Sequence, residues 1–490
     1  MSRRLTRLQL ALLAIVCAGA ALRFATLDLQ SFWLDEGITV GRLLRNDFGG
    51  MLGQIPASEQ TPPLYYVLAW LWTRPFGTGE VGVRSLSALV GSGTIPIAYA
   101  LGRQLVSRRA GLVAAALTAF SPLLVWYSQE ARSYALFVAL SGLSLLLFLR
   151  AIEERRDREA RSRALWQWAI AAALALATHW FAVFLLLPQA AWLLLRGAPP
   201  RAARLAVGAW AAVGAALLPL AVDQAGGGPQ FIHGLSVATR AIQVPKQYLV
   251  GYDAPAEVPL TVAAALLAVL ALWLAVARTG AAERRGARIA AAFATGAVGV
   301  PLLLSIAGFD YLITRNVIGG WLPVALVLAA GLGARRAGVA GPLAAAALCA
   351  IGLAAIVAVD TKPEFQRDDW RDAAGALGPA TTSRAIVVNP VNGQDVLSVY
   401  ADGLRRFPAR PVAVREIDLL AVDRRRPGQR PRPARPPTPQ VPGFRVVERR
   451  DATTFTLIRL LAARPLPVTR TSLYLLRLDP HLADEVLQTR

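Results

Sequence analysis

Apolar residues fill the first 360 positions in long runs, closed by arginines or by Gly/Pro clusters. A helix that crosses a bilayer needs about 20 consecutive apolar residues. Runs of that order recur near 8–24, 83–102, 110–127, 133–150, 165–178, 180–195, 205–222, 258–277, 289–307, 317–334 and 338–358. The pattern predicts an α-helical polytopic membrane protein with about eleven transmembrane helices. After 360 the runs shorten. Residues 385–389 (AIVVN) and 444–447 (FRVV) read as strands, 368–377 reads as a helix, and the Arg/Pro-rich tract 424–442 reads as extended and mobile chain. The expected division is a membrane domain over 1–359 and a small C-terminal α/β domain over 360–490, outside the membrane.

The charges between the runs orient them. Arg3, Arg4 and Arg7, then Arg103, Arg108 and Arg109, then the cluster Arg150–Arg163, then Arg196, Arg201 and Arg204, then Arg278–Arg288, then Arg335 and Arg336 all fall on one side. The positive-inside rule puts that side, and the N-terminus, in the cytoplasm and residue 360 outside. Residues 25–82 then form a long first outer loop. Its stretch 62–76 (PPLYYVLAWLWTRPF) is short and bounded by prolines, so it reads as a helix lying in the interface. The N-terminal run resembles a signal peptide but reads as an uncleaved first span, because the chain remains polytopic.

Composition agrees. The chain has 490 residues, 55% of them hydrophobic, with a mean hydropathy of +0.45, too apolar for a soluble protein. Its net charge of +21 would suit nucleic acid, but nearly all the basic residues are arginines between apolar runs, with Lys246 and Lys362 the only lysines. Topology and anionic lipid account for that placement, and nucleic acid is excluded as a partner. Cys17 and Cys349 lie inside predicted spans and read as apolar filler. The Arg-rich composition suggests a GC-rich bacterium and hence its cytoplasmic membrane.

Two acidic motifs stand at the mouths of spans, Trp33-Leu34-Asp35-Glu36 after the first run and Tyr127-Ser128-Gln129-Glu130-Ala131-Arg132 at the end of the third. Charge at such places is costly unless it is functional or reaches water. His179 between the fifth and sixth runs and Arg315 before the tenth share their side. A carboxylate can deprotonate an acceptor hydroxyl, and an arginine can bind a phosphate leaving group. The set therefore suits transfer of a group from a lipid phosphate. Asp35, Glu36 and Glu130 are the candidate catalytic acids. Arg315, Arg132 and Lys246 are candidates for the donor phosphate, with Arg84 a further one. Tyr65, Tyr66, Gln129 and His179 are candidates on the acceptor side. Asp35 and Glu130, with Glu36, could also hold a divalent cation such as Mg, Mn or Ca through oxygen. Each has a plainer reading: Asp35-Glu36 as a helix cap, Glu130 and Arg132 as membrane-edge anchors, His179 as a histidine bonded to backbone, Arg315 as a snorkelling side chain, and Tyr65, Tyr66, Trp70 and Trp72 as an interfacial belt.

The series W-L-D-E-G, T-P-P-L-Y-Y, R-S-L-S-A-L, S-P-x-x-x-W-Y-S-Q-E-A-R-S-Y-A-L and T-H-W-F resembles the polytopic C-type glycosyltransferases, in particular bacterial relatives of the protein O-mannosyltransferases and the lipid A aminoarabinose transferase. The resemblance covers roughly 5–335, with an echo at Asp369-Trp370-Arg371. It implies a C-type glycosyltransferase fold, a polyprenyl-phosphate sugar donor (mannosyl or arabinofuranosyl foremost), inverting transfer at the outer face, and a glycan, glycolipid or protein acceptor. It gives Asp35 the role of base, Glu130 that of orienting the acceptor or supporting a cation, and Arg315 contact with the donor phosphate. Asn316 stands where relatives have Tyr after that basic residue, and Thr61 where many have His. The competing reading is a transporter or lipid-linked sugar flippase. Such proteins place polar sites near the midplane on broken, repeated helices, whereas these charges sit at helix ends and no internal repeat is visible.

Overall fold

The protein is described here by a computed structural model covering residues 6–154, 157–195, 200–225, 232, 235–423, 436–479 and 482–489. Most of the tract 424–442, the Gly226–Pro229 cluster and Arg3, Arg4 and Arg196 lie outside the described residues. The chain is a mostly helical, multi-pass membrane protein. Among the described residues eight helices are long and apolar enough to cross a bilayer: Arg7–Phe24, Glu80–Leu105, Tyr134–Glu153, Arg201–Ala225, Glu257–Ala277, Ala281–Ile306, Thr314–Leu332 and Ala340–Thr361. A ninth is possible if Arg108–Ala119 and Pro122–Ser128, bent by 57°, form one span. The other two of the eleven expected runs are helical but weaker. Arg158–Leu176 begins with a charged turn, and the 180–195 stretch is short and carries Pro188 inside it. The 62–76 stretch forms the helix Leu64–Phe76, only 13 residues long.

Lipid rather than water explains the surface of these helices. In Glu257–Ala277 the exposed large side chains are Val258, Val262, Leu266, Val269, Leu272, Trp273 and Val276, an apolar face at helical spacing. The opposite side buries Ala264, Ala271 and Ala275. Small residues let membrane helices approach closely: a Cβ added to Gly331 would lie 1.9 Å from the Ala271 carbonyl oxygen, so glycine is required there.

The chain divides into two compact units. The first comprises Met1–Leu27, Ile55–Gly77 and Val81–Ala358. The second comprises Asp28–Gln54, Thr78–Glu80 and Val359–Arg490. One division falls between Ala358 and Val359, and residues 28–54 and 78–80 of the stretch 25–82 belong to the second unit.

The second unit is built on a six-stranded mixed sheet: β1 Arg384–Asn389, β2 Leu404–Arg406, β3 Val412–Val422, β4 Phe444–Asp451, β5 Phe455–Val468 and β6 Asp484–Gln488, in the order β2-β6-β1-β3-β5-β4. Only β1 and β3 run parallel. The expected strands at 385–389 and 444–447 are β1 and the start of β4, and the expected helix is Trp370–Leu377. The pleat sends alternate residues to opposite faces. On one face Val387, Ile417, Leu419, Ile458, Leu460 and Leu487 make the core. On the other, Arg384 and Arg459 flank Asp418 at 3.0 Å each. Both arginines also donate to the Leu377 carbonyl, at 2.7 and 2.8 Å, and so cap the end of the Trp370–Leu377 helix, where negative backbone charge gathers.

Candidate active site

In the first unit the sequence breaks a span to present its acidic motif. After Arg108–Ala119 comes Ser121, whose hydroxyl accepts from the Leu124 N–H, with Pro122 at the first helical position of Pro122–Ser128. The chain then turns through Gln129–Ser133 into Tyr134–Glu153. Arg23 fixes this turn. It is fully buried and donates to the carbonyls of Gly19, Ala119 and Thr118 and to the Ser128 hydroxyl, at 2.8–3.1 Å. Those carbonyls belong to the ends of two helices, which a cation suits. The Gln129 amide donates to the Thr26 hydroxyl (2.8 Å) and the Leu22 carbonyl (3.1 Å). Gln129 thus ties the motif to the end of the first span.

Glu130 is fully buried. Nearby, the Tyr127 and Tyr252 hydroxyls bond to each other. Burial raises the Tyr252 hydroxyl above its ordinary value. Its bond to Tyr127 and the charge of Arg315 oppose that rise, while Glu130 adds to it. Tyr252 is held by Lys246, whose ammonium donates to the Tyr252 carbonyl at 2.6 Å and pairs with Glu257 at 2.9 Å. Lys246, expected at the phosphate, braces this loop.

Arg132 lies 2.5 Å from Glu59, which is itself buried. The Tyr66 hydroxyl donates to the same Glu59 oxygen (2.7 Å) and sits 2.7 Å from the Thr61 hydroxyl. Tyr65 reaches the Ser87 hydroxyl at 3.3 Å. Both tyrosines are buried, so they do not form an interfacial belt, and Thr61 joins the carboxylate network through Tyr66. Glu59 gave no signal in the sequence, being one acid in the polar stretch Ser58-Glu59-Gln60.

His179 accepts the Phe181 N–H at Nδ1 (3.2 Å), which places the proton of a neutral ring on Nε2. Its ring stacks on Phe137 at 4.5 Å. Burial first, then the charges of Arg315 and Arg132, push its pKa down to about 3. It is therefore a neutral donor at physiological pH, and Nε2 is buried with no hydrogen-bond partner among the described residues. Arg315 opens the short helix Thr314–Val317 and is half-buried. The loop before it is clamped by Arg240, which binds Asp310 through both guanidinium nitrogens, at 2.7 and 2.5 Å, and the Leu312 carbonyl at 2.9 Å. Asn316 donates to the Tyr311 carbonyl at 2.9 Å and closes the same turn. Glu130, Arg132, His179, Arg315, Tyr127 and Tyr252 thus form one polar cluster, each within electrostatic reach of another, in an apolar unit.

Asp35 and Glu36 belong to the second unit, in the short helix Leu34–Ile38. Glu36 is buried, receives the Trp33 N–H at 3.4 Å, and lies 3.9 Å from Arg367. It does cap its helix, as the plainer reading had it. Asp35 is half-buried, and its carbonyl accepts the Thr39 hydroxyl at 3.1 Å. Among the described residues no group of three or more His, Cys, Asp or Glu side chains is arranged to hold a metal ion.

Residues 60–222 match the family model described as dolichyl-phosphate-mannose-protein mannosyltransferase. Over that segment, about a third of its length, the chain is similar to that family. Solved structures similar to it include ArnT from Cupriavidus metallidurans in the apo state, at 12% identity over 91% of this chain and 97% of that one, with a TM-score of 0.40. An Archaeoglobus fulgidus oligosaccharyltransferase with Zn and sulfate is similar at 15% identity over 80% of this chain, with a TM-score of 0.44. The Saccharomyces cerevisiae protein O-mannosyltransferase Pmt1–Pmt2 complex bound to the sugar donor is similar at 17% identity over 45% of this chain and 33% of that one, with a TM-score of 0.35. The chain spans 61% of the archaeal enzyme's length. No curated protein sequence matches it.

Proposed function

We propose that this protein is an inverting glycosyltransferase that moves a mannosyl or arabinofuranosyl group from a polyprenyl-phosphate donor to a hydroxyl of a glycan, glycolipid or protein at the outer face of a bacterial cytoplasmic membrane. The observation that carries the reading is the polar cluster of buried Glu130, Arg132 and His179 with half-buried Arg315, inside an apolar unit whose segment 60–222 matches the mannosyltransferase family. Solvating so many polar groups in an apolar body is costly, and such groups are kept for function.

In this mechanism the acceptor oxygen attacks the anomeric carbon, and its proton passes to the Asp35 carboxylate. The bond from that carbon to the phosphate oxygen breaks, and polyprenyl phosphate leaves with the electron pair. Arg315, a planar donor, meets the growing phosphate charge, and the neutral His179 offers its Nε2 proton to a sugar or phosphate oxygen. An apolar cleft lined by Leu117, Phe120, Trp321, Leu328 and Leu348 is where a prenyl chain would begin to insert. A divalent cation at the carboxylates is a separate part of the proposal, and full activity after exhaustive chelation removes it from the scheme.

The test is reconstitution in proteoliposomes with polyprenyl-phosphate mannose and polyprenyl-phosphate arabinofuranose. A transferase releases free polyprenyl phosphate as sugar appears on the acceptor. A flippase moves the intact lipid and breaks no bond, and that result would reject the proposal. The topology has its own check: cysteines placed in 360–490 should react with an impermeant thiol reagent in intact cells or spheroplasts.

A further inference from the structure

We propose that the C-terminal domain is a positioning device for the Asp35–Glu36 segment, with the helix Gly393–Tyr400 and the strip 366–371 as its socket. The proposal rests on the transferase reading only in taking Asp35 as the reacting carboxylate.

Residues 28–54 and 78–80 share a compact unit with 359–490, and the contacts are specific. Gly37 is buried, and a Cβ there would lie 2.6 Å from Val396, so the W-L-D-E-G glycine is what lets this backbone settle on the Gly393–Tyr400 helix. Further along, Arg42 donates to the Asp395 carboxylate (2.6 Å) and the Asn392 side-chain carbonyl (2.9 Å), and Arg45 donates to the Ser398 carbonyl (3.0 Å). On the other side, the Phe32 N–H donates to the Tyr400 hydroxyl (2.7 Å), which itself donates to Glu80 (2.8 Å).

The strip 366–371 completes the grip. The Arg367 N–H donates to the Gln30 side chain at 2.8 Å, and its guanidinium lies 3.9 Å from Glu36. The Ser31 hydroxyl accepts the Trp370 N–H (2.9 Å) and donates to the Asp368 carbonyl (3.0 Å). Arg371 reaches the Asp28 carbonyl (3.1 Å) and Glu80 (2.7 Å). The Asp369-Trp370-Arg371 echo is therefore explained as the partner of the first motif. Asp35 stands between two tethered flanks, Ser31–Phe32 before it and Gly37–Arg45 after it. Holding a reacting group in place lowers a barrier strongly, and small displacements are costly to rate. The socket residues act through Asp35 and touch no substrate.

The experiment uses the full-length protein in lipid nanodiscs with Asp395→Arg, Arg42→Asp and the double exchange. Hydrogen exchange over residues 34–45 and transfer kinetics are both read. Each single variant should raise exchange over 34–45 and lower kcat by about tenfold or more, with KM for the lipid donor unchanged. The double exchange should restore protection and most of kcat, because it rebuilds the pair with its charges reversed. Unchanged exchange in the single variants, or raised exchange with wild-type kcat, overturns the proposal. A wild-type protein that transfers no sugar overturns the transferase reading instead, and the exchange arm alone then decides whether the domain holds this segment.

Discussion

The two units bury charge in opposite ways. In the membrane unit Glu59 faces a single cation, Arg132, and Arg23 faces three carbonyls and a hydroxyl. In the C-terminal unit one carboxylate, Asp418, is shared between Arg384 and Arg459 beside Glu416. The first arrangement suits a lipid-embedded body, where every polar group needs an internal partner. The second fastens a helix end to a sheet and leaves a titratable group at its centre. The difference teaches which charges are architecture and which remain for chemistry. Arg132 is engaged by Glu59, whereas Nε2 of His179 has no hydrogen-bond partner among the described residues.

Breaking the membrane pair should have the largest effect on stability. Arg132→Met leaves Glu59 buried without its cation, and removing one member of a buried pair costs about 3–5 kcal/mol. A large fall in melting temperature in detergent is expected, with much of it regained by adding Glu59→Leu. Arg132→Met that melts normally but loses donor binding would return Arg132 to the phosphate site.

Arg315→Ala should weaken donor binding by about ten- to a hundredfold, the scale of one hydrogen bond to a charged group. Arg315→Lys should restore part of it, since lysine lacks the planar fork. Titration with polyprenyl phosphate reads this, and wild-type affinity in Arg315→Ala moves the phosphate elsewhere.

The C-terminal network should show a pH dependence that the membrane pair does not. Burial lifts the Asp418 carboxyl to about 7 against the pull of Arg384 and Arg459, with Glu416 adding to the rise. A raised acid binds its proton more tightly folded than unfolded, so this contribution to stability is present below the ordinary carboxylate range and falls as pH rises toward 7. Asp418→Asn should flatten that slope in thermal melts between pH 4 and pH 7, a window set by the ordinary and shifted values. An unchanged slope would place the titration on another group.

Hydropathy made most of the membrane unit legible, because lipid forces helices and apolar runs record them. At the expected runs 165–178 and 180–195 the chain is helical, but a charged first turn, Pro188 and short length set these helices apart from the eight longer apolar ones among the described residues. The motifs exposed Glu130, His179 and Arg315, which the fold does bring together. They could not expose Glu59, Arg23 or the Arg240–Asp310 clamp. Each is ordinary in its own stretch and gains meaning only from a partner far along the chain. The same holds for the second unit, where Arg42 and Asp395 are 353 residues apart. The long strands β3 and β5 carried no strand assignment from the sequence, although they are the centre of the sheet.

The central claim is that Asp35 takes the acceptor proton. Its direct measurement is single-turnover transfer from a radiolabelled polyprenyl-phosphate sugar in proteoliposomes, comparing wild type with Asp35→Asn at matched donor occupancy. Asp35→Asn keeps size and loses basicity. The account predicts a folded protein with intact donor binding and a transfer rate lower by about 10²-fold or more. Turnover near the wild-type rate would contradict it and place the base elsewhere, with Glu130 the next residue to test.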